Sequence, residues 1–348
     1  MIDLIYFNFS YLLILEIFLI FLFSKLALKI KLIDYPDDRK MHTGSIPLVG
    51  GIVLFSVIFF YFIFFETIYI HKIIFTASIF IFFIGLYDDI ANMGIAERLF
   101  LQILAILFVI GFDIRIVDLG TINIFDNKLL LIELGGFGTI LTLLTILGFT
   151  NAINFSDGLD GLASGYIILC YICILIFSLY NGMTMNLDII VFLILIILLF
   201  MIANFGFLFP KIFLGDNGST SLGFMTACFL IYFTMPNSRY FDPLLVIWVA
   251  PLVTMDFLAV FLFRIINKKS PFIADRQHIH YLLFRYIKNQ KLITPVLLFI
   301  SFVISITGLI VFMNFGAISS TGLYLFICLI YFLLYFNFRN IKLGNDIS

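Results

Sequence analysis

Long apolar runs, separated by short polar segments, make up most of the chain. Eleven runs approach the roughly 20 mostly apolar residues that a membrane-spanning helix needs, and the fourth and eighth are short. They lie at about 8–30, 48–70, 73–88, 98–112, 136–153, 163–180, 187–204, 220–235, 243–263, 292–313 and 320–338. The pattern predicts an all-α polytopic membrane protein with about eleven transmembrane helices, forming a single integral membrane domain over residues 1–348.

Composition supports a location in lipid. The chain is 63% hydrophobic and 12% charged, with a mean hydropathy of +1.18, whereas soluble domains are about half apolar and a quarter charged. The formal net charge of −1 gives no reason to expect nucleic acid as a partner. All four cysteines lie within apolar runs, which favours packing over a zinc or redox site: Cys170, Cys173, Cys228 and Cys328.

The first apolar run is predicted to be a retained span. No basic segment precedes it and no small-residue cleavage site follows it, so it does not resemble a signal peptide. Glu16 lies inside this run. An intramembrane carboxylate is a functional candidate, although a position near the outer end would also let the side chain reach the interface.

The distribution of basic residues predicts the orientation in the membrane. With the N-terminus outside, the inner segments are 31–47, 88–98, 154–162, 205–219, 264–291 and the C-terminal tail. Of the 20 lysines and arginines, all then lie inside except Lys72, Arg115, Lys128 and Arg239, in agreement with the positive-inside rule. The outer segment 113–134 alternates apolar and polar residues, which predicts a short outer β-hairpin.

Five polar segments lie on this inner side in a chain that otherwise avoids polarity. They are DYPDDRKMHTGSIPLVGG (34–51, the N-terminal motif), GLYDD (85–89, called the first motif), NAINFSDGLDGLASG (151–165, the second motif), FLGDNGSTSLGF (213–224, the third motif) and SPFIADRQHIHYLL (270–283, the histidine motif). Their shared side predicts one active site built from cytoplasmic loops.

Asp88 and Asp89 end the third run. A helix C-terminus carries partial negative charge and disfavours carboxylates, so we expect a cation near them. Taken alone, the pair could equally be two solvated acids at the end of a helix.

In the second motif, Asn151, Asn154, Asp157 and Asp160 recur every three positions. Neighbours in this series share a helix face, but the series drifts around the helix, so we expect a break near Gly158. A helix N-cap would use only one of these side chains, and a binding role therefore explains the series better.

The third motif precedes the apolar run of the eighth span. One of its polar side chains is expected to cap that helix: Asp216, Asn217, Ser219 or Thr220. A helix N-terminus between Gly215 and Gly218 is also a natural anion site. Asp216 could hold a hard metal ion through oxygen.

His278 and His280 occur in the most basic inner loop, with Arg276, Lys268 and Lys269. Two exposed histidines would by themselves be ordinary surface residues. Together with the basic side chains they offer the donors that phosphate oxygens require.

These five motifs, in this order, resemble those of the polyprenyl-phosphate N-acetylhexosamine-1-phosphate transferases over nearly the whole chain. The last motif is similar to the branch that uses UDP-N-acetylglucosamine and undecaprenyl phosphate. The resemblance implies Asp216 as a magnesium ligand, with Asp88 and Asp89 near the metal and the attacking phosphate. It also implies that Asn154, Asp157 and Asp160 surround the nucleotide, and that His278 and His280 contact the diphosphate or the sugar.

The resulting expected site has three overlapping sets. The expected catalytic residues are Asp88, Asp89, Asp157, Asp160, His278 and His280. The expected substrate-binding residues are Arg39, Lys40, His42, Asn151, Asn154, Asp157, Asp160, Gly215, Asn217, Ser219, Arg276, His278 and His280. The expected ligands of magnesium, with manganese as the alternative ion, are Asp216, Asp88, Asp89 and Asn154.

The sequence departs from the family pattern at three positions. Tyr281 stands where the family often has a third histidine, and it cannot become cationic near neutral pH. Arg98 replaces a lysine, and Val253 replaces a proline ahead of Asp256. Two roles are open for Asp256, a structural role and a pairing with a basic group from another span.

The expected reaction is transfer of a sugar 1-phosphate from a UDP-N-acetylhexosamine to undecaprenyl phosphate at the inner face of the cytoplasmic membrane. Direct displacement is favoured over a phospho-aspartate route, because a phosphate monoester is mostly ionised at neutral pH and needs little help from a base. Two alternatives to an active transferase are a transporter or lipid-binding scaffold and a catalytically dead homologue. A homodimer through lipid-facing spans is a further open expectation.

Overall fold

The computed structural model describes residues 2–35, 44–124, 128–270, 277–287 and 289–340, and helices account for most of them. The helices are α1 (Ile2–Leu26), α2 (Gly50–Phe64), α3 (Tyr69–Ala91), α4 (Ile95–Gly111), α5 (Phe137–Ser156), α6 (Leu162–Tyr180), α7 (Asp188–Asn204), α8 (Gly215–Tyr232), α9 (Pro251–Ile266), α10 (Ile279–Ile287) and α11 (Gln290–Asn340). The strands are β1 (Ile33–Asp34), β2 (Ile46–Pro47), β3 (Asp118–Ile124) and β4 (Lys128–Glu133).

The helices follow the apolar runs of the sequence, which supports a polytopic membrane protein. Within the described residues, five stretches of helix are long and apolar enough to cross a bilayer: Phe9–Leu26, Tyr69–Ala91, Phe137–Ser156, Leu162–Tyr180 and Leu292–Asn337. Helices α2 and α7 are apolar but shorter. The number of eleven spans therefore stays a prediction. The ninth run begins with a 3-10 helix, Pro243–Trp248, and α9 starts only at Pro251.

Helix α11 folds back on itself at Gly316, whose φ of 79° and ψ of 179° are not helical. The Ser320 hydroxyl donates to the Gly308 carbonyl at 3.2 Å. In a continuous helix these residues would be roughly 18 Å apart, so the chain reverses between them. This reversal separates the two segments that the sequence predicted as the tenth and eleventh spans.

Helix α8 lies at the centre of the helical packing, and its residues from Asn217 to Tyr232 are buried. Glycines let the neighbouring helices approach its first turn. A Cβ added to Gly85 in α3 would lie 2.5 Å from the Asn217 Cα. One added to Gly51 in α2 would lie 2.5 Å from the Gly218 amide nitrogen. The backbones of three helices therefore meet where α8 begins.

Backbone hydrogen bonds tie the start of α2 to the segment before α8. The Gly50 N–H donates to the Phe213 carbonyl at 2.8 Å, and the Gly51 N–H donates to the Leu214 carbonyl at 2.9 Å. The Phe213 N–H in turn donates to the Pro47 carbonyl at 2.8 Å. Two N–H groups of α2 that lack partners within the helix are satisfied in this way, so α2 and α8 begin at the same level.

Strands β3 and β4 pair antiparallel, with Thr121 opposite Leu131. The Arg239 guanidinium donates to both Asp118 carboxylate oxygens at 2.7 and 2.6 Å, which fastens β3 to the segment after α8. The pairing is the one expected from the alternating sequence. Its location on the outer side stays a prediction, and residues 125–127 lie outside the described part of the chain.

Glu16 is fully buried, and neither of its carboxylate oxygens has a hydrogen-bond partner in the described part of the chain. It therefore does not reach an interface, as one of the two sequence-based interpretations supposed. The four cysteines are buried and unpaired, in agreement with a packing role.

The close approach of α3 to α8 gives a first prediction. Gly85→Ala places a methyl group against the α8 backbone, and such overpacking should cost about 1–3 kcal/mol of stability, visible as a lower Tm of the purified protein. Gly111→Ala is the matched control, because a Cβ at Gly111 meets nothing within 4 Å. Equal Tm values for the two variants would contradict this packing.

Candidate functional site

Asp89, at the end of α3, caps the N-terminus of α8. Its Oδ1 accepts from the Asp216 N–H at 2.9 Å and its Oδ2 from the Asn217 N–H at 3.0 Å. The Asn217 side-chain amide also donates to Oδ2. A carboxylate suits this position, because the first N–H groups of a helix lack partners and carry partial positive charge. The expectation that a side chain of the motif itself caps α8 is therefore wrong.

Asp88 is buried and held on both carboxylate oxygens. Oδ1 accepts from the Met93 N–H at 2.7 Å, and Oδ2 accepts from the Arg98 guanidinium at 3.0 Å. The same guanidinium nitrogen lies 3.9 Å from Asp216 Oδ2. Arg98 thus supplies the cation that the acidic pair required, and it links α4 to the start of α8.

Asp216 presents its carboxylate to an open recess. Its side chain is 41% exposed, although protein surrounds it on most sides. The Asn154 amide donates to Asp216 Oδ1 at 2.8 Å and to the Ser219 hydroxyl at 2.9 Å. The second and third motifs therefore meet at this carboxylate, whose Oδ2 lies 3.9 Å from the Arg98 guanidinium and which also interacts with the Asp88 side chain.

Asp157 follows directly after α5, at the break that the sequence predicted. The described residues donate no hydrogen bond to its carboxylate. Burial raises the pKa of this carboxyl well above its usual range, and the charges of Asp216, Asp89 and Asp160 raise it further. Asp157 is therefore the acidic group with the greatest need for a cation.

Asp160 is already paired. Its Oδ2 lies 2.5 Å from the Lys211 ammonium, and both side chains are about a third exposed. The Asp160 carbonyl accepts from the Thr294 hydroxyl at 2.9 Å, which brings the start of α11 to this motif. Lys211, just before α8, was not among the predicted site residues, since a single lysine in an inner loop carries no distinctive signal.

Several predicted binding residues instead hold helices together. Asn151 is buried and donates to Gln102 Oε1 at 3.0 Å and to the Leu147 carbonyl at 2.8 Å. Asn217 is buried against Asp89, and Gly215 has a φ of +77° that allows the turn into α8. The Ser219 hydroxyl donates to the Gly215 carbonyl at 3.0 Å. Their placement supports packing and capping rather than contact with a ligand.

The histidine motif lies against the second motif. The His278 ring is 5.5 Å from the Phe155 ring and is nearly parallel to the His280 ring at 5.9 Å. A Cβ added to Gly158 would lie 2.8 Å from His280 Nε2 and 2.6 Å from the Tyr281 hydroxyl. Because Gly158 has no side chain, the start of α10 can pack directly against this loop. Tyr281 lies at the same contact.

Both histidines are buried, and their Nε2 atoms have no hydrogen-bond partner among the described residues. His278 Nδ1 lies 2.7 Å from Asp256 Oδ2, so Asp256 pairs with a histidine just before α10 and not with a basic group on another predicted span. Burial lowers the pKa of His280 to about 3. His280 is thus neutral at physiological pH.

Asn204, at the end of α7, supports the second motif but was missed from the sequence. Its Oδ1 accepts from the Gly161 N–H at 2.6 Å, and its amide donates to the Ile212 carbonyl at 2.9 Å. Gly161 has a φ of +73° and starts α6. The only sequence feature that could have identified Asn204 is that it is a single amide side chain at the end of an otherwise apolar run.

The arrangement can be compared with the needs of magnesium, which binds through one or two carboxylates and completes its octahedron with water and substrate phosphate. Asp216 and Asp157 fit this role. The Asp216 side chain is 41% exposed and lies 3.9 Å from the Arg98 guanidinium, and burial together with the charges of Asp216, Asp89 and Asp160 disfavours the ionised form of Asp157 unless a cation lies beside it. Among the described residues no three acidic, histidine or cysteine side chains form a ready metal site. Asp88 and Asp89 already accept hydrogen bonds from protein groups, and the Asn154 amide nitrogen donates to Asp216 and Ser219. The roles of these three residues as metal ligands stay predictions.

Four predicted substrate-binding residues lie outside the described residues: Arg39, Lys40, His42 and Arg276. Their predicted roles are unchanged.

Comparisons with known proteins agree with the geometry. Residues 71–234 match the family model described as glycosyl transferase family 4. An undecaprenyl-phosphate alpha-N-acetylglucosaminyl 1-phosphate transferase of Yersinia pestis is 35% identical over 285 residues, covering 78% of this chain and 76% of the relative. The Escherichia coli K12 protein of the same name is 34% identical over 271 residues, covering 76% of this chain and 72% of the relative.

A more distant relative extends the match. A probable undecaprenyl-phosphate N-acetylglucosaminyl 1-phosphate transferase of Bacillus subtilis is 26% identical over 294 residues, covering 82% of this chain and 79% of the relative. The matched region of the family model contains Asp88, Asp89, Asp157 and Asp216. The apolar helices, the convergent acidic motifs and these similarities together place the chain in glycosyl transferase family 4, as an integral membrane glycosyltransferase.

Proposed function

We propose that this protein transfers N-acetylglucosamine 1-phosphate from UDP-N-acetylglucosamine to undecaprenyl phosphate, giving undecaprenyl-diphospho-N-acetylglucosamine and UMP. The observation that carries the proposal is the meeting of Asp216, Asn154 and Asp157 in one recess beside His278. The names of the relatives support the lipid acceptor and the sugar. The sequence motifs support a UDP-linked donor.

An apolar groove next to the recess supports a lipid acceptor. A cavity of about 480 Å³ lies between α5, α8 and α9 and is lined by apolar side chains such as Leu230. Ala152 and Phe257 line one end. Phe257 packs on Phe155 at 6.3 Å between ring centres, and Phe155 contacts His278. A prenyl chain in this groove would hold its phosphate at the recess.

Joining two anionic reactants is the main physical difficulty of the reaction. Two unit charges about 4 Å apart repel by roughly 4 kcal/mol at an effective dielectric constant of 20. Magnesium held by Asp216 and Asp157 would supply the compensating charge and stabilise the departing UMP oxygens. Arg98 and Lys211 orient and partly neutralise the carboxylates around it.

The remaining residues position the reactants. A phosphate oxygen of the lipid attacks the β-phosphorus of the UDP-sugar, the bond from that phosphorus to the bridging oxygen breaks, and UMP leaves with the bridging oxygen. The acceptor is mostly ionised near neutral pH, so no proton has to be removed from it. Asp88 is bound to Arg98 and the Met93 N–H, which fits a positioning group better than a general base.

The direct test uses purified protein with undecaprenyl phosphate, magnesium and a panel of UDP-sugars. UDP-N-acetylglucosamine should yield UMP and undecaprenyl-diphospho-sugar in equal amounts, with no UMP when the lipid is omitted. The absence of UMP with every donor would contradict the proposed function. Release of UMP without lipid would instead favour a covalent intermediate.

Asp157 has no compensating cation among the described residues, so replacing it with a neutral residue should make the folded protein more stable. A carboxyl with a raised folded-state pKa destabilises the protein as pH rises above the unfolded-state value near 4. Asp157→Asn should therefore raise the Tm in EDTA at pH 7 by a few degrees, about 2–4 °C, while transfer activity falls. Asp160→Asn is the control, since it breaks the pair with Lys211 and should not raise the Tm. An unchanged or lower Tm for Asp157→Asn would contradict the charge argument.

The apolar groove predicts a selective effect on the lipid substrate. Gly148→Phe fills the groove, where a Cβ at this position meets only Phe257, at 3.7 Å. The KM for undecaprenyl phosphate should rise about tenfold, an energy of about 1.4 kcal/mol, whereas the KM for the UDP-sugar should not change. Gly322→Phe is the control, because nothing lies within 4 Å of a Cβ there. Equal effects on both KM values would argue against this groove as the acceptor site.

His280 predicts a pH dependence of stability. Its folded-state pKa of about 3 lies below the unfolded value of 6.5. Stability from the neutral, buried ring is therefore present above pH 6.5 and is lost as pH falls toward 3. At pH 5 the loss should be about 2 kcal/mol. His280→Gln removes this contribution, so its Tm should fall less between pH 7 and pH 5 than that of the parent. Parallel Tm curves would show that His280 is not held neutral.

A further inference from the structure

Asp256 in α9 is buried and fully engaged in hydrogen bonds at the edge of the recess. Its Oδ2 lies 2.7 Å from His278 Nδ1. Its Oδ1 accepts from the Ile279 N–H at 2.8 Å and from the Tyr331 hydroxyl at 2.9 Å. Two separate segments of the chain, one with His278 and Ile279 and one with Tyr331, therefore converge on this one carboxylate.

These contacts determine the protonation of the His278 ring. An ionised carboxylate is acceptor-only, so the Nδ1 atom facing Asp256 Oδ2 must carry a proton. A neutral imidazole has one donor and one acceptor nitrogen. In the neutral ring with its proton on Nδ1, Nε2 is the acceptor, and this atom has no hydrogen-bond partner in the described part of the chain.

The His278 ring lies beside the motif that is expected to surround the nucleotide. The His278 ring packs on Phe155 at 5.5 Å, and Phe155 stands between Asn154 and Asp157 in the second motif. The neighbouring His280 ring is parallel to it and also has an unpartnered Nε2. Two buried imidazoles beside the second motif therefore have Nε2 atoms without a hydrogen-bond partner among the described residues.

We propose that Asp256 is a positioning residue that fixes His278 in the Nδ1–H tautomer, so that Nε2 accepts a hydrogen bond from an O–H or N–H group of the donor sugar. This role rests on the proposed function. It differs from a cationic phosphate clamp, since a neutral Nε2 acceptor cannot bind a phosphate oxygen.

Tyr331 makes the arrangement depend on the fold of α11. The chain reversal at Gly316 returns the second half of α11 to the level of α10, where the Tyr335 hydroxyl donates to the Gln277 carbonyl at 3.0 Å. Tyr331, one turn earlier, then reaches Asp256 Oδ1. The second half of α11 thus holds the Asp256 carboxylate in place through Tyr331, and Asp256 in turn orients His278.

The substitution Asp256→Asn should reverse the tautomer. The Ile279 N–H and the Tyr331 O–H both need an acceptor, so the introduced carbonyl oxygen takes the place of Oδ1. The amide NH2 then faces His278 Nδ1 and donates to it, which makes Nδ1 the acceptor and moves the ring proton to Nε2. The acceptor required by the donor sugar is thereby lost with little change of shape.

The first readout is the nitrogen-15 NMR spectrum of selectively histidine-labelled protein in detergent. The chain has 4 histidines, and His278→Gln assigns the signal of interest by its disappearance. The parent should show a protonated Nδ1 and an unprotonated Nε2 at His278. Asp256→Asn should show the opposite pattern, and Tyr331→Phe the parental one. An Nε2–H tautomer in the parent would overturn the proposal even if Asp256→Asn failed to fold.

The second readout is kinetic. For Asp256→Asn, kcat/KM for the UDP-sugar should fall at least about tenfold, while the KM for undecaprenyl phosphate should stay at the parental value. Asp188→Asn is the matched control, because Asp188 also accepts from a tyrosine hydroxyl, that of Tyr61 at 2.8 Å, but lies at the opposite end of the helices. It should leave both the tautomer and the kinetics unchanged.

The outcomes separate this inference from the proposed function. A reversed tautomer with a parental kcat/KM, or an unchanged tautomer in Asp256→Asn, would overturn the role of Asp256. If the parent protein releases no UMP with any donor, the proposed function fails, and the NMR spectra still decide whether Asp256 fixes His278.

Discussion

The hydrogen bonds from the α8 N-terminus to the Asp89 carboxylate determine where the acidic residues of the site can lie. They join the C-terminal end of α3 to the start of α8, and Gly85 and Gly51 allow the backbones to come close enough for them to form. Because Asp89 satisfies the helix N-terminus, Asp216 does not have to. Its side chain is thereby directed into the recess, where the Asn154 amide meets it.

The recess holds more negative charge than its own cations offset. Arg98 compensates Asp88 and approaches Asp216, and Lys211 compensates Asp160. Asp157 has no such partner among the described residues, and its raised pKa reflects both burial and its acidic neighbours. Buried charge without a partner is costly for a folded protein, so a substrate-free site of this kind is expected to reduce stability. A divalent ion bound with the nucleotide would relieve the repulsion, which links binding to the stability of the inner face.

The sequence predicted the helices and the convergence of the motifs because both depend on local patterns. Apolar runs gave the helix positions, and a common inner face placed the second and third motifs together, where Asn154 and Asp216 now touch. Roles that depend on long-range contacts were not predictable in this way. Asp89 caps a helix that begins 126 positions later along the chain, at Gly215, and a sequence offers no signal for such a cap.

Long-range contacts also explain the other differences between the sequence-based expectations and the structure. Asn151 has the spacing of a binding residue, but its partner Gln102 comes from α4 and draws it into the helix packing. Asp256 and His278 lie 22 residues apart, and the reversal of α11 that brings in Tyr331 depends on a single glycine. The spacing in the sequence identified the polar residues. Tertiary contacts determine which of them use their polar atoms in the packing and which keep donors or acceptors available for a ligand.

The most direct test of the account is the magnesium dependence of UMP release by Asp216→Asn protein, measured against the parent with saturating UDP-N-acetylglucosamine and undecaprenyl phosphate. The account predicts a rate lower by at least about 100-fold, in the range found when one group that stabilises transition-state charge is removed, and no recovery to the parental rate at high magnesium. A parental rate with the parental magnesium dependence would contradict it.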